Sequence, residues 1–189
     1  MRLTRILLLS GAAISAAGSS VQVRDIDGQL FSPFEPAGRA RVLFFVASDC
    51  PVSNAYAPEI QRFCTAYGSK GVGCRLLYED FRIDAGAVRK HLDEYGYRSM
   101  PAAIDADRAI ADRAKATVTP SAVVIDRTGA IRYRGRIDNL YAALGKPRRQ
   151  VTSHDLSDAL DAVLAGKPVR MPETEAVGCY IAPPGLLGK

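Results

Sequence analysis

Two histidines, His91 and His154, and four cysteines, Cys50, Cys64, Cys74 and Cys179, are the whole stock of soft or borderline metal ligands apart from three methionines in 189 residues. A copper site needs two close cysteines and a histidine, and Cys50, Cys179 and His154 meet only if the C-terminal tail folds back, so neither a metal nor a cofactor is expected. No Ser-His-Asp set, phosphate-binding loop or nucleotide fingerprint occurs. The net charge of +5 is spread along the chain, with no basic run interleaved with aromatics, and nucleic acid is not an expected partner. No apolar run approaches the roughly 20 residues of a membrane-spanning helix, and no internal repeat is visible. What is present is an ordinary globular composition, 48% hydrophobic and 24% charged, in 189 residues, enough for one good core and too few for two large domains.

The N-terminus carries a distinct pattern. Arg2 and Arg5 precede an apolar stretch from Ile6 to Ala17, broken by Ser10, Gly11 and Ser15, and Ser15-Ala16-Ala17 fits a cleavage site. This reads as a secretory signal peptide, with an uncleaved anchor or a short core helix as the alternatives. The expected organisation is a signal peptide over 1–17, one α/β domain over 18–168, and a Pro-rich tail over 169–189 that carries Cys179. The mature protein is then exported to a periplasmic or other extracytoplasmic compartment, without a stable membrane span. Such compartments are oxidising, and four cysteines allow three complete pairings.

Val21 to Asp27 is a strand candidate. Arg41 to Ala47 is a continuous apolar run, as in a strand buried on both faces. A helix opens at Cys50-Pro51 and runs to Tyr67, with Tyr56, Ile60, Phe63 and Tyr67 on one face. Strands follow at Val72–Tyr78, Pro101–Ile104 and Ser121–Asp126, with helices at Ala85–Tyr95 and Arg108–Ala116. Ile131 to Asp138 returns as a hairpin partner, and 141–151 is a loop with a basic patch. Thr152 and Asp155 have the spacing of a capping box for a last helix, which Gly166 and Pro168 end. Alternating strands and helices closed by a hairpin and a helix give an α/β fold: a mixed central sheet with helices on both faces.

Cys50 stands where a buried strand ends and a helix begins. Unpaired N–H groups and the positive end of the helix dipole favour a thiolate there, so Cys50 reads as a reactive thiol rather than an inert core cysteine. The strand RVLFFVA, Cys50-Pro51-Val52-Ser53, and Pro58 eight residues past the cysteine together resemble the active-site segment of thioredoxins. Thr119-Pro120 before SAVVID resembles the cis-proline loop of that superfamily. With RYRGRID and the terminal GCYI, the chain is similar to a peroxiredoxin-like redoxin subgroup with a single N-terminal active-site cysteine. The resemblance spans about Val21 to Ile181 and implies a thioredoxin-like fold with an N-terminal strand extension. It also implies a cis Thr119-Pro120 bond, Cys50 as attacking thiol, and the Thr119-Pro120 backbone as the place where a partner polypeptide docks.

Three departures qualify the implied chemistry. Ser53 stands in place of the second thioredoxin cysteine. The peroxidatic cysteine of peroxiredoxins also aligns with Ser53, and Val46 replaces their proline, so the peroxide-activating set is missing. Asp49 replaces the tryptophan before the thioredoxin cysteine and opposes the thiolate if it points toward sulfur. Cys64, fourteen residues past Cys50 on the expected helix, sits roughly 21 Å away and cannot resolve it. Cys64 and Cys74 form either a structural disulfide or two core thiols. Cys179 is either a resolving thiol or a free tail cysteine. Arg132, Arg134 and Arg136 alternate on one strand, either as a charged edge or, at Arg136, as support for the thiolate or an acidic substrate group. His91 is expected to face solvent.

The function that follows is an exported thiol-disulfide oxidoreductase using Cys50 and Cys179. Thr119, Pro120 and Arg136 lie on its substrate side, and its partner is a thiol- or disulfide-bearing protein or a small thiol. A non-enzymatic binding module and a divergent thiol peroxidase are the alternatives.

Overall fold

The run Arg41–Ala47 forms the centre of the sheet, as a segment apolar on both faces must. The computed structural model describes residues 21–35, 38–80 and 82–182, so the expected signal peptide lies outside the described residues. In chain order the elements begin with β1 (Val23–Arg24), β2 (Leu30–Phe31), β3 (Ala40–Val46), α1 (Pro51–Ala55), α2 (Ala57–Gly68) and β4 (Val72–Tyr78). Next come α3 (Ala85–Glu94), β5 (Ala102–Ile104), α4 (Ala109–Ala114), β6 (Val118–Thr119) and β7 (Ser121–Asp126). The chain continues through β8 (Ile131–Gly135), β9 (Tyr141–Ala143), β10 (Lys146–Pro147), α5 (Asp155–Leu164) and β11 (Cys179–Tyr180).

The main sheet has the order β5-β4-β3-β7-β8. β3, β4 and β5 are parallel, while β7 and β8 run antiparallel. Alternate residues of β3 serve two cores. Val42, Phe44 and Val46 pack with Ile60 and Phe63 of α2, Val88 of α3 and Leu156 and Leu160 of α5. Leu43 and Phe45 pack with Ile110 and Ala114 of α4 and with Phe34. Phe44 is fully buried, and truncating such an aromatic to alanine costs about 3–5 kcal/mol.

Several local expectations are corrected. The helix after Cys50 is two helices, α1 and α2, meeting at Tyr56. Pro58 has no N–H to offer the Asn54 carbonyl, so the ladder breaks there. The first strand shrinks to β1, a two-residue partner of β2. The loop at 141–151 contains the β9–β10 hairpin. The capping box does not form: α5 starts at Asp155, the Thr152 hydroxyl accepts from Asn139 Nδ2 at 2.7 Å, and Asp155 pairs with Arg136. His91 is buried, because Val88, His91 and Leu92 are the inward face of α3, and its ring stacks on Tyr95.

The tail attaches to the domain at two points, the first at the β8 edge of the main sheet and the second at β6 in a separate two-stranded pair. At the first, the Arg134 N–H donates to the Pro172 carbonyl at 3.0 Å and the Thr174 N–H to the Arg134 carbonyl at 3.1 Å. Gly135, at φ 141°, lets this crossing happen, since a β-carbon there would overlap Thr174. At the second, β11 pairs antiparallel with β6.

Candidate functional site

Cys50 is the N-cap of α1, with extended backbone, and Pro51 fills the first helical turn where no N–H is needed. The Ser53 N–H points at Cys50 Sγ from 3.5 Å, and the Ser53 hydroxyl accepts from the Ala47 N–H at 3.4 Å. The end of β3 and the start of α1 are thus tied through the serine that replaces a second cysteine. Asn54 extends this tie. Its Nδ2 donates to the Ser48 carbonyl at 3.0 Å, and its Oδ1 lies 2.9 Å from His91 Nε2. Tyr78 OH lies 2.8 Å from His91 Nδ1. Burial lowers the His91 pKa, so the ring is neutral: Tyr78 donates to Nδ1, and Nε2–H donates to Asn54. The segment holding Cys50 is therefore anchored to α3 by a satisfied polar chain.

The Thr119-Pro120 bond is cis, and the Thr119 carbonyl oxygen lies 3.3 Å from Cys50 Sγ. Cys179, 129 residues further along the chain, is bonded to Cys50, with Cα atoms 5.9 Å apart. In the β6–β11 pair, Cys179 stands opposite Thr119 and Tyr180 opposite Val118. Four of the five expected site residues, Cys50, Cys179, Thr119 and Pro120, therefore meet at one point. Cys50 is 1% exposed beneath the tail, Cys179 is half-buried, and Tyr180 is 71% exposed. Asp49, the acidic neighbour, is exposed.

Arg136 is placed differently. Its Nε and Nη2 donate to the Asp155 carboxylate at 2.8 and 3.1 Å, joining the end of β8 to α5. Burial pulls the Asp155 pKa up, but the Arg136 bonds outweigh it and the carboxyl is held below its ordinary value. Arg136 also lines a small recess with Pro120, Tyr56 and Val177. Arg132 and Arg134, expected to share one face with it, pair separately with Asp126 and Glu173.

Two features beside the disulfide escaped the sequence reading. Tyr56 OH donates to Asp138 Oδ1 at 2.5 Å, beneath the recess that touches Pro120. On the other side, a cavity of about 180 Å³ is lined by Ala47, Asp49, Glu79, Thr119, Cys179 and Ile181, among others. Both Glu79 carboxyl oxygens are buried there without a hydrogen-bond partner. Burial, then the nearby Asp105 carboxylate, pushes Glu79 up to about 9, against a weaker opposing pull from Arg108. The only sequence signal was an acid directly after the apolar run Leu76-Leu77-Tyr78. Cys64 and Cys74 form the second disulfide, with Cα atoms 5.9 Å apart, between α2 and β4. Among the described residues no group of three or more histidine, cysteine or acidic side chains is arranged to hold a metal ion.

The Redoxin family model matches residues 16–141, two thirds of the sequence. The chain belongs to the Redoxin family. The fold of this redoxin is that of thioredoxin-like proteins. An uncharacterized conserved protein from Geobacillus kaustophilus is 25% identical, over 86% of this chain and 87% of that one, with a TM-score of 0.74. A hypothetical protein from Sinorhizobium meliloti 1021 is 24% identical, over 91% and 95% of the two chains, with a TM-score of 0.72. A secreted Mycobacterium tuberculosis disulfide oxidoreductase homologous to E. coli DsbE shares the fold at 21% identity, over 78% of this chain and 96% of that one, with a TM-score of 0.53. No curated protein matches this redoxin. No helix of the described residues is long and apolar enough to cross a membrane.

Proposed function

We propose that this redoxin is an exported thiol-disulfide oxidoreductase that cycles between a Cys50/Cys179 dithiol and the Cys50–Cys179 disulfide. The observation that carries the reading is the pairing of these two cysteines across 129 residues at the Thr119-Pro120 backbone. In the reduced protein the Cys50 thiolate attacks one sulfur of a partner disulfide. The partner's other sulfur leaves as a thiolate and takes a proton from solvent. Cys179, as thiolate, then attacks Cys50 Sγ, which forms the internal disulfide and expels the partner's second thiolate. The partner gains two electrons and this redoxin loses them. Two molecules of a small thiol, or a second protein dithiol, reduce the disulfide again. The first thiolate attacks Cys179, the more accessible sulfur, and expels the Cys50 thiolate; the second attacks the sulfur that the first brought, which forms the reductant's own disulfide and frees Cys179 as a thiolate.

Ser53 cannot resolve a mixed disulfide, so the task falls to Cys179. Thr119 and Pro120 supply the backbone against which a partner lies. Arg136, engaged by Asp155, acts as a positioning residue behind Pro120. Export rests on the leader over 1–17 and agrees with a chain carrying two disulfides. The fold shared with a secreted disulfide oxidoreductase supports the same reaction class. A binding module is the second reading, favoured by the 1% exposure of Cys50.

Reduced Cys179→Ser protein, offered a disulfide-bearing protein, should accumulate a mixed disulfide visible on non-reducing gels. The wild type should show it only briefly, and Cys50→Ser never. If neither wild type nor Cys179→Ser yields a Cys50-dependent adduct, the oxidoreductase reading fails and the binding module takes its place.

A further inference from the structure

The seat of β11 has the properties of a strand-addition site. In such sites main-chain hydrogen bonds give affinity, and pockets for alternate side chains give selectivity. The tail follows that pattern residue by residue. Gly178 passes so close to the cis-proline loop that a β-carbon would overlap the Thr119 carbonyl, 2.6 Å from its carbon and 3.1 Å from Pro120 N. Cys179 points to Cys50 from its position opposite Thr119. Tyr180 turns outward, 71% exposed. Ile181 turns inward again at 2% exposure, joins Leu43, Leu77 and Ala103 in the core beneath α4, and donates its N–H to the Thr117 carbonyl at 2.9 Å. The tail is thus a cysteine-bearing strand fitted to the edge of β6 by two requirements, no side chain before the cysteine and an aliphatic side chain two positions after it, with the exposed position between them left open.

We infer that Gly178-Cys179-Tyr180-Ile181 is the template of the partner segment: this redoxin selects extended polypeptides of the form Gly-Cys-x-aliphatic, which take the place of its own tail. The inference rests on the oxidoreductase reading and names its substrate class. The steric demand at Gly178 is made by backbone atoms of the cis-proline loop and cannot be relieved by rotating a side chain. The Ile181 pocket is part of the core and excludes a charged group. Partner and tail compete for one edge, so the partner binds when Cys50 and Cys179 are thiols and leaves when the tail returns with its own cysteine.

The test uses full-length reduced protein carrying Cys179→Ser, so that adducts on Cys50 persist. The probes are hexapeptides whose cysteine is activated as a mixed disulfide with nitrothiobenzoate. The sequences are Ala-Gly-Cys-Tyr-Ile-Ala, the same peptide with alanine for glycine, and the same peptide with aspartate for isoleucine. Attack by Cys50 on the peptide sulfur forms the peptide adduct and releases coloured nitrothiobenzoate, and the tail competes equally with all three. The first peptide should react at least about ten-fold faster than either variant, the equivalent of about 1.4 kcal/mol. Equal rates for the three overturn the template while leaving the redox reading intact. Failure of every peptide and of free dinitrobenzoate disulfide to react at Cys50 removes both. An independent arm needs no peptide: Gly178→Ala in the otherwise native chain should shift the Cys50–Cys179 couple toward the dithiol in a glutathione buffer by about ten-fold. The Cys64–Cys74 bond should be unchanged. An unshifted couple contradicts the steric demand on which the template depends.

Discussion

Glu79 holds its carboxyl group in the cavity beside the Cys50–Cys179 disulfide, with neither oxygen hydrogen-bonded. Asp105 and Arg108 face it from the β5–α4 connection, Asp112 from α4, and Asp49, Asp80 and Arg82 line the same cavity from the loops. Burial raises its pKa from 4.5 to about 9, so the folded protein keeps this proton over a range in which the unfolded chain has lost it. With more protons bound in the native state, stability falls as pH rises between those two values and levels off above the upper one. Asp105, also raised mainly by burial, adds to the slope with the same sign. Asp126, held low by Thr128 and Arg132 against the opposing effect of burial, acts at acid pH instead: its stabilisation is lost as pH falls below the ordinary carboxylate range. Glu79→Gln should therefore match the wild type near about pH 5 and exceed it by at least about 1 kcal/mol near about pH 8.5 in urea unfolding. Parallel stability profiles for the two proteins would rule out a buried, protonated Glu79. Cys50 and Thr119-Pro120 were legible because each is defined by its immediate neighbours in sequence. Glu79 and His91 were not, because their burial depends on which distant segments cover them.

At the scale of elements, the sequence reading succeeded where the signal is periodic and missed where a single side chain chooses between partners. β7 has the expected limits, Ser121–Asp126, because all six residues are buried and Ala122 to Ile125 form a continuous apolar run. Thr152 and Asp155 had the spacing of a capping box, yet Asn139 took one and Arg136 the other, and both competitors lie too far away in sequence for a local rule to weigh. The α1–α2 junction shows the same competition. Pro58 breaks the ladder, and Tyr56 at the break turns its ring into the core and its hydroxyl to Asp138. Burial and then Asp138 raise the tyrosine pKa well above its ordinary value, so the hydroxyl stays protonated as donor. Tyr56→Phe leaves Asp138 Oδ1 with the Leu140 N–H at 2.8 Å as its remaining bond. The loss of a hydrogen bond to a buried carboxylate should lower stability by about 1.5–3 kcal/mol, measured from the denaturation midpoint. The rate of Cys50 adduct formation should change less than about two-fold, since the tyrosine hydroxyl is turned to Asp138 and its ring remains as phenylalanine. A large loss of rate with unchanged stability would give Tyr56 a part in the chemistry that its geometry does not suggest.

For the whole molecule, the mixed sheet was readable from the alternation of elements, whereas the path of the tail was not, since its irregular, Pro-containing sequence has no period. That path determines how the two redox states differ. The tail is held at 172–174 by β8, through the paired Arg134 and Thr174 backbones and the Thr174 hydroxyl 2.6 Å from Tyr133 OH. It is held again at 178–181 by β6, Cys50 and the core. Only the second attachment contains the disulfide. Cutting that bond removes a cross-link between positions 129 residues apart, which a loop-entropy treatment values at about 5 kcal/mol of global stability. Locally it leaves β11 with two pairs to β6 and one buried isoleucine. A two-residue pairing of this kind is marginal by itself, so the terminal segment should open well before the rest of the molecule. Hydrogen exchange read by NMR on the oxidised and selectively reduced protein separates the two attachments. The Ile181 amide, bonded to the Thr117 carbonyl, should lose at least about ten-fold of its protection on reduction. The Arg134 and Thr174 amides should keep theirs apart from the global change. If all three lose protection together, the tail detaches as one piece, and β8 is exposed along with β6. If Ile181 remains protected in the dithiol state, the tail stays seated without its disulfide, and a partner polypeptide has no edge to occupy.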